Sequence, residues 1–237
     1  MASASTEAAI FDLDKTVISR AAMVAFARPL YATGMISRRL VVQAAWRNLI
    51  FTKVGASEER MRRYRESGLE IVRGWDACRV EEIVRENLPE VIAPYVYPEA
   101  RQLIADHQRD GRRVFLISAS PREIIVPMAE FLGITDFICS EAEIDSAGRY
   151  TGRAVSWAHG PHKAEAMRGV VARYGIDLDA SYAYSDAVTD LPMLEMVGHP
   201  VAVNPERALT KVARTRGWEI RRFRLDAPDV SPAPAPA

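Results

Sequence analysis

Residues 8 to 16 read Ala8-Ala-Ile-Phe11-Asp12-Leu13-Asp14-Lys15-Thr16. A short apolar run with no polar interruption is a buried strand of a sheet covered on both faces. It ends on two aspartates separated by one residue, and residues at i and i+2 of an extended chain point the same way. Two crowded carboxylates repel, raise one another's pKa or need a cation. An aspartate so placed can attack phosphorus, with its neighbour handling protons. The same pattern is equally the end of a strand and a capping turn.

The rest of the chain repeats the opening rhythm. Val114-Phe-Leu-Ile117, Phe137-Ile-Cys139, Tyr182-Ala-Tyr184 and Pro200-Val-Ala-Val203 read as strands. Helical patterns cover Pro98 to Gln108, Pro121 to Phe131, Lys163 to Tyr174, Leu191 to Val197 and Glu206 to Thr215. Strands alternating with helices predict an α/β fold, a three-layer Rossmann-like core around a parallel sheet. Ser146-Ala-Gly148 between Glu143-Ile-Asp and Arg149-Tyr-Thr predicts a small β-hairpin.

From Arg20 to Tyr95 the rhythm breaks into helix after helix. Leu40, Val41, Ala44, Ala45, Leu49 and Ile50 form an apolar stripe at helical spacing. Glu58 with Arg62 and Glu59 with Arg63 stand four apart, as on an exposed helix face. The division expected is a core of residues 1–19 and 96–225, an all-helical insert of residues 20–95, and a Pro/Ala-rich disordered tail of residues 226–237. An insert after the first strand lies above the carboxyl ends of the strands, where open α/β sheets bind ligands.

Two further strand ends and one helix start carry polar groups. In Leu116-Ile-Ser118-Ala-Ser120-Pro121 a hydroxyl precedes a helix start, a suitable place for an anion and equally for a capping serine. Lys163 stands at a helix start, where a cation opposes the dipole unless an anion lies in front of it. Asp186 and Asp190, four apart, follow a strand and suit a hard cation such as Mg²⁺, or serve as turn and N-cap residues. His159 and His162 are read as loop histidines with no ligand role.

Composition narrows the classes. The 31 basic and 31 acidic residues of the 237 cancel, which argues against a dedicated nucleic-acid binder. Two cysteines do not make a disulfide scaffold, no stretch is apolar enough to span a bilayer, and Met1 to Lys15 does not read as a secretory signal. A cytoplasmic location is the expectation.

In the order strand–DxDxT, strand–Ser, helix-start Lys, strand–DxxxD, the chain resembles the haloacid dehalogenase superfamily of phosphotransferases over about residues 8 to 225. The helical insert resembles subfamily IB, which contains the phosphoserine phosphatases. The resemblance implies that Asp12 is the nucleophile and Asp14 the general acid and base. It implies Mg²⁺ held by Asp12, the Asp14 carbonyl and Asp186, with Asp190 in support, and phosphoryl oxygens held by Ser118 and Lys163. The insert would be a cap closing over a small phosphomonoester. Three positions depart from the phosphoserine phosphatases: Ala21 replaces a glutamate that pairs with the substrate ammonium, Thr189 an asparagine, and Ala119-Ser120 a glycine-rich stretch. They keep the phosphatase chemistry and leave phosphoserine specificity open. Arg60, Arg62, Arg63 and Arg65 read as a solvated face or as contacts to a substrate anion. Leu40 to Phe51 with Trp46 leaves open a lipid or glycerol phosphate as substrate. Transfer of the phosphoryl group to an alcohol stays open too, as does a non-catalytic regulator on the same fold.

Overall fold

The computed structural model describes residues 6–36 and 68–225. The stripe from Leu40 to Ile50, the arginines at 60 to 65 and the tail therefore lie outside the described residues. Seven strands form one sheet in the order β4-β3-β2-β1-β5-β6-β7. They are β1 (Ala8–Asp12), β2 (Arg113–Pro121), β3 (Asp136–Ile144), β4 (Tyr150–Ser156), β5 (Tyr182–Ser185), β6 (His199–Val203) and β7 (Glu219–Arg221). Every pairing is parallel except β3 with β4, which is the hairpin expected from Ser146-Ala-Gly148.

The helices are α1 (Ala22–Ala32), α2 (Ala77–Val91), α3 (Pro98–Arg109), α4 (Arg122–Phe131), α5 (Pro161–Tyr174), α6 (Leu191–Leu194) and α7 (Arg207–Arg216). Alternation along the strands sorts them into two layers. Ala9 and Phe11 of β1, Val114 and Leu116 of β2 and Tyr184 of β5 share a buried cluster with α1 to α4. Ala8, Ile10, Phe115, Ile117 and Ala183 share the other with α5 to α7. The period of two thus puts Asp12 on the α5 face, below Lys163.

Among the described residues, the chain between β1 and α3 is helical at 68–72 and in α1 and α2, with no strand of its own. Val84 and Leu88 of α2, with Ile92 just after it, join the first cluster, and Ala77 and Val80 pack with Tyr150 of the hairpin. The chain leaves and re-enters the sheet through a clasp. Ser19 N–H donates to Tyr95 O at 2.8 Å and Tyr97 N–H to Val17 O at 3.0 Å.

Three details differ from the sequence reading. β2 continues through Ser118 to Pro121 across an irregular pairing with β3, so α4 begins at Arg122. α6 stops at Leu194, not Val197. β7, a strand of Glu-Ile-Arg, carries too little apolar signal to be read from sequence.

Candidate active site

β1 lies at the centre of the sheet, and register brings the polar strand ends together. Asp12 pairs with Ile117, one residue before Ser118, and Phe11 pairs with Tyr184, two before Asp186. Stacking of Phe11 on Tyr184, 4.3 Å between centroids, and a 2.7 Å hydrogen bond between Tyr184 Oη and His107 Nε2 brace the layer beneath.

Lys163 crosses from the first turn of α5. Gly160, at φ 55°, turns the chain there, and Pro161 opens the helix. Its Nζ lies 2.5 Å from Asp12 Oδ1 and 2.8 Å from Asp190 Oδ2, and all three side chains are buried. The anions facing this lysine are thus the chain's own carboxylates. Thr16 Oγ1 donates to Asp12 Oδ2 at 3.2 Å, so both oxygens of Asp12 are held. Asp14 is handled differently: its Oδ1 accepts the Ala22 backbone N–H, at the start of α1, at 2.9 Å. Immediately after Asp14, Lys15 adopts a left-handed conformation, φ 61°, which turns the chain away from the strand direction.

The electrostatics follow from crowding. Burial, with Asp190 and Asp14 nearby, pushes the Asp12 carboxyl up to about 7 against the pull of Lys163. Burial also raises Asp14, opposed by the Ala22 amide and by Lys163 and Lys15. Burial, with Asp190 and Glu206 nearby, raises Asp186 to about 6, opposed by Lys15. Lys163, which burial alone would lower, is raised by Asp12 and Asp190.

Ser118 is buried, and its Oγ accepts the Ser120 N–H at 3.0 Å, which leaves the hydroxyl hydrogen available to an anion. Two participants were not evident in the sequence. Ser185, fully buried, donates to Asp190 Oδ2 at 2.8 Å and fixes that carboxylate against Lys163. Glu206 accepts the Val188 N–H at 2.9 Å and holds the turn that carries Asp186. A hydroxyl immediately before Asp186 was the available signal for the first; nothing marked the second.

The donor set fits a hard divalent cation. Asp12, Asp14, Asp186 and Asp190 are drawn to one sheet edge with one buried lysine among them, leaving excess negative charge where water is scarce. Among the described residues no three His, Cys, Asp or Glu side chains form a ready cage. That is compatible with two carboxylates plus a backbone carbonyl, and no helix among the described residues is long and apolar enough to cross a membrane.

Comparison with known proteins points the same way. Residues 9–195 match the model of the haloacid dehalogenase-like hydrolases. The chain is 41% identical over 232 residues to a probable phosphatase of Mycobacterium tuberculosis, covering 97% of this chain and 80% of that one. It is 35% identical to a phosphoserine phosphatase of the same organism, covering 93% and 72%. A histidinol-phosphatase of Neisseria meningitidis is 31% identical, covering 91% and 98%. A solved structure from Bordetella pertussis, of unknown function, superposes with a TM-score of 0.79 at 26% identity, over 91% of this chain and 98% of that one. Fold, family model and relatives named as phosphatases agree, and the chain belongs to the haloacid dehalogenase-like hydrolase family.

Proposed function

We propose that the chain is a Mg²⁺-dependent phosphomonoesterase that hydrolyses a small phosphorylated metabolite through an aspartyl-phosphate on Asp12. The observation that carries this reading is the unequal treatment of Asp12 and Asp14. Asp12 is clamped by Lys163 and Thr16, as a nucleophile needs to be. Asp14 is held by one backbone N–H and is partly accessible, as a proton carrier needs to be.

In the first step an Asp12 oxygen bonds to phosphorus while the ester P–O bond breaks. The Asp14 carboxyl, kept protonated more readily by its burial, gives its proton to the leaving oxygen. In the second, the Asp14 carboxylate takes a proton from water, the water oxygen bonds to phosphorus, and the Asp12–phosphorus bond breaks to release inorganic phosphate. Lys163 and the Ser118 hydroxyl neutralise and orient the phosphoryl oxygens. Mg²⁺, held by Asp12, the Asp14 carbonyl and Asp186 with Asp190 in support, supplies positive charge at those oxygens when bound. The insert of residues 20–95 acts as the cap that covers the substrate, in line with the start of α1 resting on Asp14.

Two of the relatives are named for phosphoserine and histidinol phosphate. Both compounds carry an ammonium beside the ester-bearing carbon, so phosphorylated amino alcohols lead the substrate panel. The test is phosphate release from an aryl phosphate and then from amino-acid, sugar, glycerol, lipid and nucleotide monophosphates. Turnover should require Mg²⁺ and vanish in Asp12→Asn. Absence of turnover across the panel overturns the reading, and activity surviving in Asp12→Asn overturns the covalent route.

A further inference from the structure

Among the described residues, two that are not glycine hold a positive φ: Lys15 at 61° and Asn204 at 42°. A side-chain carbon makes that conformation costly, and asparagine tolerates it better than lysine does. Asn204 is also held there by visible contacts. Its Oδ1 accepts the Phe223 N–H at 3.0 Å, and its Nδ2 donates to the Phe223 carbonyl at 3.2 Å. Lys15 has no such contact from its side chain, and it stands between Asp14 and Thr16, where a glycine would sit without strain. Strain kept at a site is a reason to ask what the side chain does there.

Lys15 is exposed, and its ammonium makes no ion pair or hydrogen bond among the described residues. Lys163, by contrast, is buried and paired with Asp12 and Asp190. The charge of Lys15 nevertheless reaches the site. Burial raises the carboxyls of Asp14 and Asp186, and Lys15 opposes the rise of both; at Asp186 it is the strongest opposing influence. With all four ionised, Asp12, Asp14, Asp186 and Asp190 therefore face two ammonium groups, and one divalent cation brings the site to neutrality. With Lys163 alone, the loaded site would keep one negative charge and repel a phosphate dianion.

We propose that Lys15 sets the balance between metal and phosphate at this site: it weakens Mg²⁺ binding and strengthens phosphate binding once the metal is in place. The inference rests on the Mg²⁺-dependent reading given above. A divalent cation approaching Asp186 meets the ammonium as a repulsion, so its affinity falls, whereas a phosphoryl group meets the same ammonium as an attraction. Opposite signs for the two ligands separate this role from a structural one, which moves both affinities the same way.

The test is calorimetric titration of the chelator-treated full chain with Mg²⁺, and then of the Mg²⁺-saturated chain with inorganic phosphate; neither needs turnover. Lys15→Gln removes the charge and keeps the side-chain carbon, while Lys15→Gly also relieves the backbone and so guards against misfolding. Both variants should bind Mg²⁺ about tenfold more tightly and phosphate about tenfold more weakly than the parent, with both differences shrinking in added salt. Lys15→Arg should match the parent, as should Lys211→Gln, which removes an exposed lysine of α7. Thermal unfolding checks that each variant is folded. The proposal is overturned if the neutral variants bind Mg²⁺ no more tightly, if phosphate affinity is unmeasurable in the parent, unchanged or moves with that of the metal, or if Lys15→Arg behaves as a neutral variant. Mg²⁺ binding with unmoved affinities sinks this inference alone, whereas no Mg²⁺ binding by parent or variants sinks it together with the metal-dependent reading.

Discussion

Replacing Lys163 by Met keeps most of the aliphatic stem and removes one charge. Its ammonium lies 2.5 Å from Asp12 and 2.8 Å from Asp190, and the two carboxylates are themselves buried. Removing one partner of a buried ion pair costs about 3–5 kcal/mol, which for a chain of this size corresponds to about 6–20 °C in Tm. Asp12 can relieve part of that penalty by taking up a proton. Its folded-state pKa, already raised from 3.8 to about 7, would rise further without the lysine. A raised carboxylate pKa costs stability as pH climbs above the unfolded value; parent and variant share that loss from 3.8 to about 7, so the part of the Lys163→Met deficit that comes from Asp12 should appear above about pH 7 and grow from there. Thermal unfolding of parent and variant in chelator, across that range, measures it. Mg²⁺ should shrink the deficit by replacing the lost charge, while turnover remains about 10²–10³-fold below the parent. A variant as stable as the parent in chelator at neutral and higher pH would refute the reasoning, because the two carboxylates could not then be sharing the lysine.

Other expectations concern the frame around the site. Burial, and the Arg112 guanidinium, push the His107 imidazole down to about 4, so the folded state binds fewer protons than the unfolded chain between 6.5 and about 4. Stability should therefore drop as pH is lowered across that window, by about 3 kcal/mol in all, and His107→Gln should remove this component from a chemical-denaturation profile. A side-chain carbon added at Gly198 would stand 1.9 Å from the Asp179 carbonyl oxygen. Gly198→Ala should cost about 3 kcal/mol or more, measured by denaturant midpoint. Saturating Mg²⁺ at about a hundred times its Kd should stabilise the parent by about 2.7 kcal/mol over the chelated protein. That gain should be largely lost in Asp186→Asn.

The sequence announced the architecture because the central strands are uninterrupted apolar runs and the hairpin has a Gly-containing turn. Edges were less legible. β7 is a three-residue polar strand that exists because β6 is there to pair with it, and no local pattern encodes that. Helix boundaries were less legible too: α6 ends at Leu194, three residues before the apolar pattern does. Residue types at strand ends and one helix start, taken in their order along the chain, nominated Asp12, Asp14, Ser118, Lys163, Asp186 and Asp190, and the register draws the strand ends among them to one edge. Which oxygen meets which donor was not readable. The Ala22 amide on Asp14 and the Ser185 hydroxyl on Asp190 depend on backbone geometry and on a residue type with many uses.

The clasp between Val17–Ser19 and Tyr95–Tyr97 joins the two ends of the long excursion next to the site. Loop-closure entropy rises only logarithmically with length, so doubling the chain between those ends would cost about 0.6 kcal/mol. Extra residues between α1 and α2 would therefore cost little in closure entropy, whereas Phe26, Val84 and Leu88 tie the two helices themselves to the sheet, and Asp12 and Asp14 stay where β1 leaves them. Variation in what such a protein recognises is cheap, and variation in what it does to a phosphate ester is not.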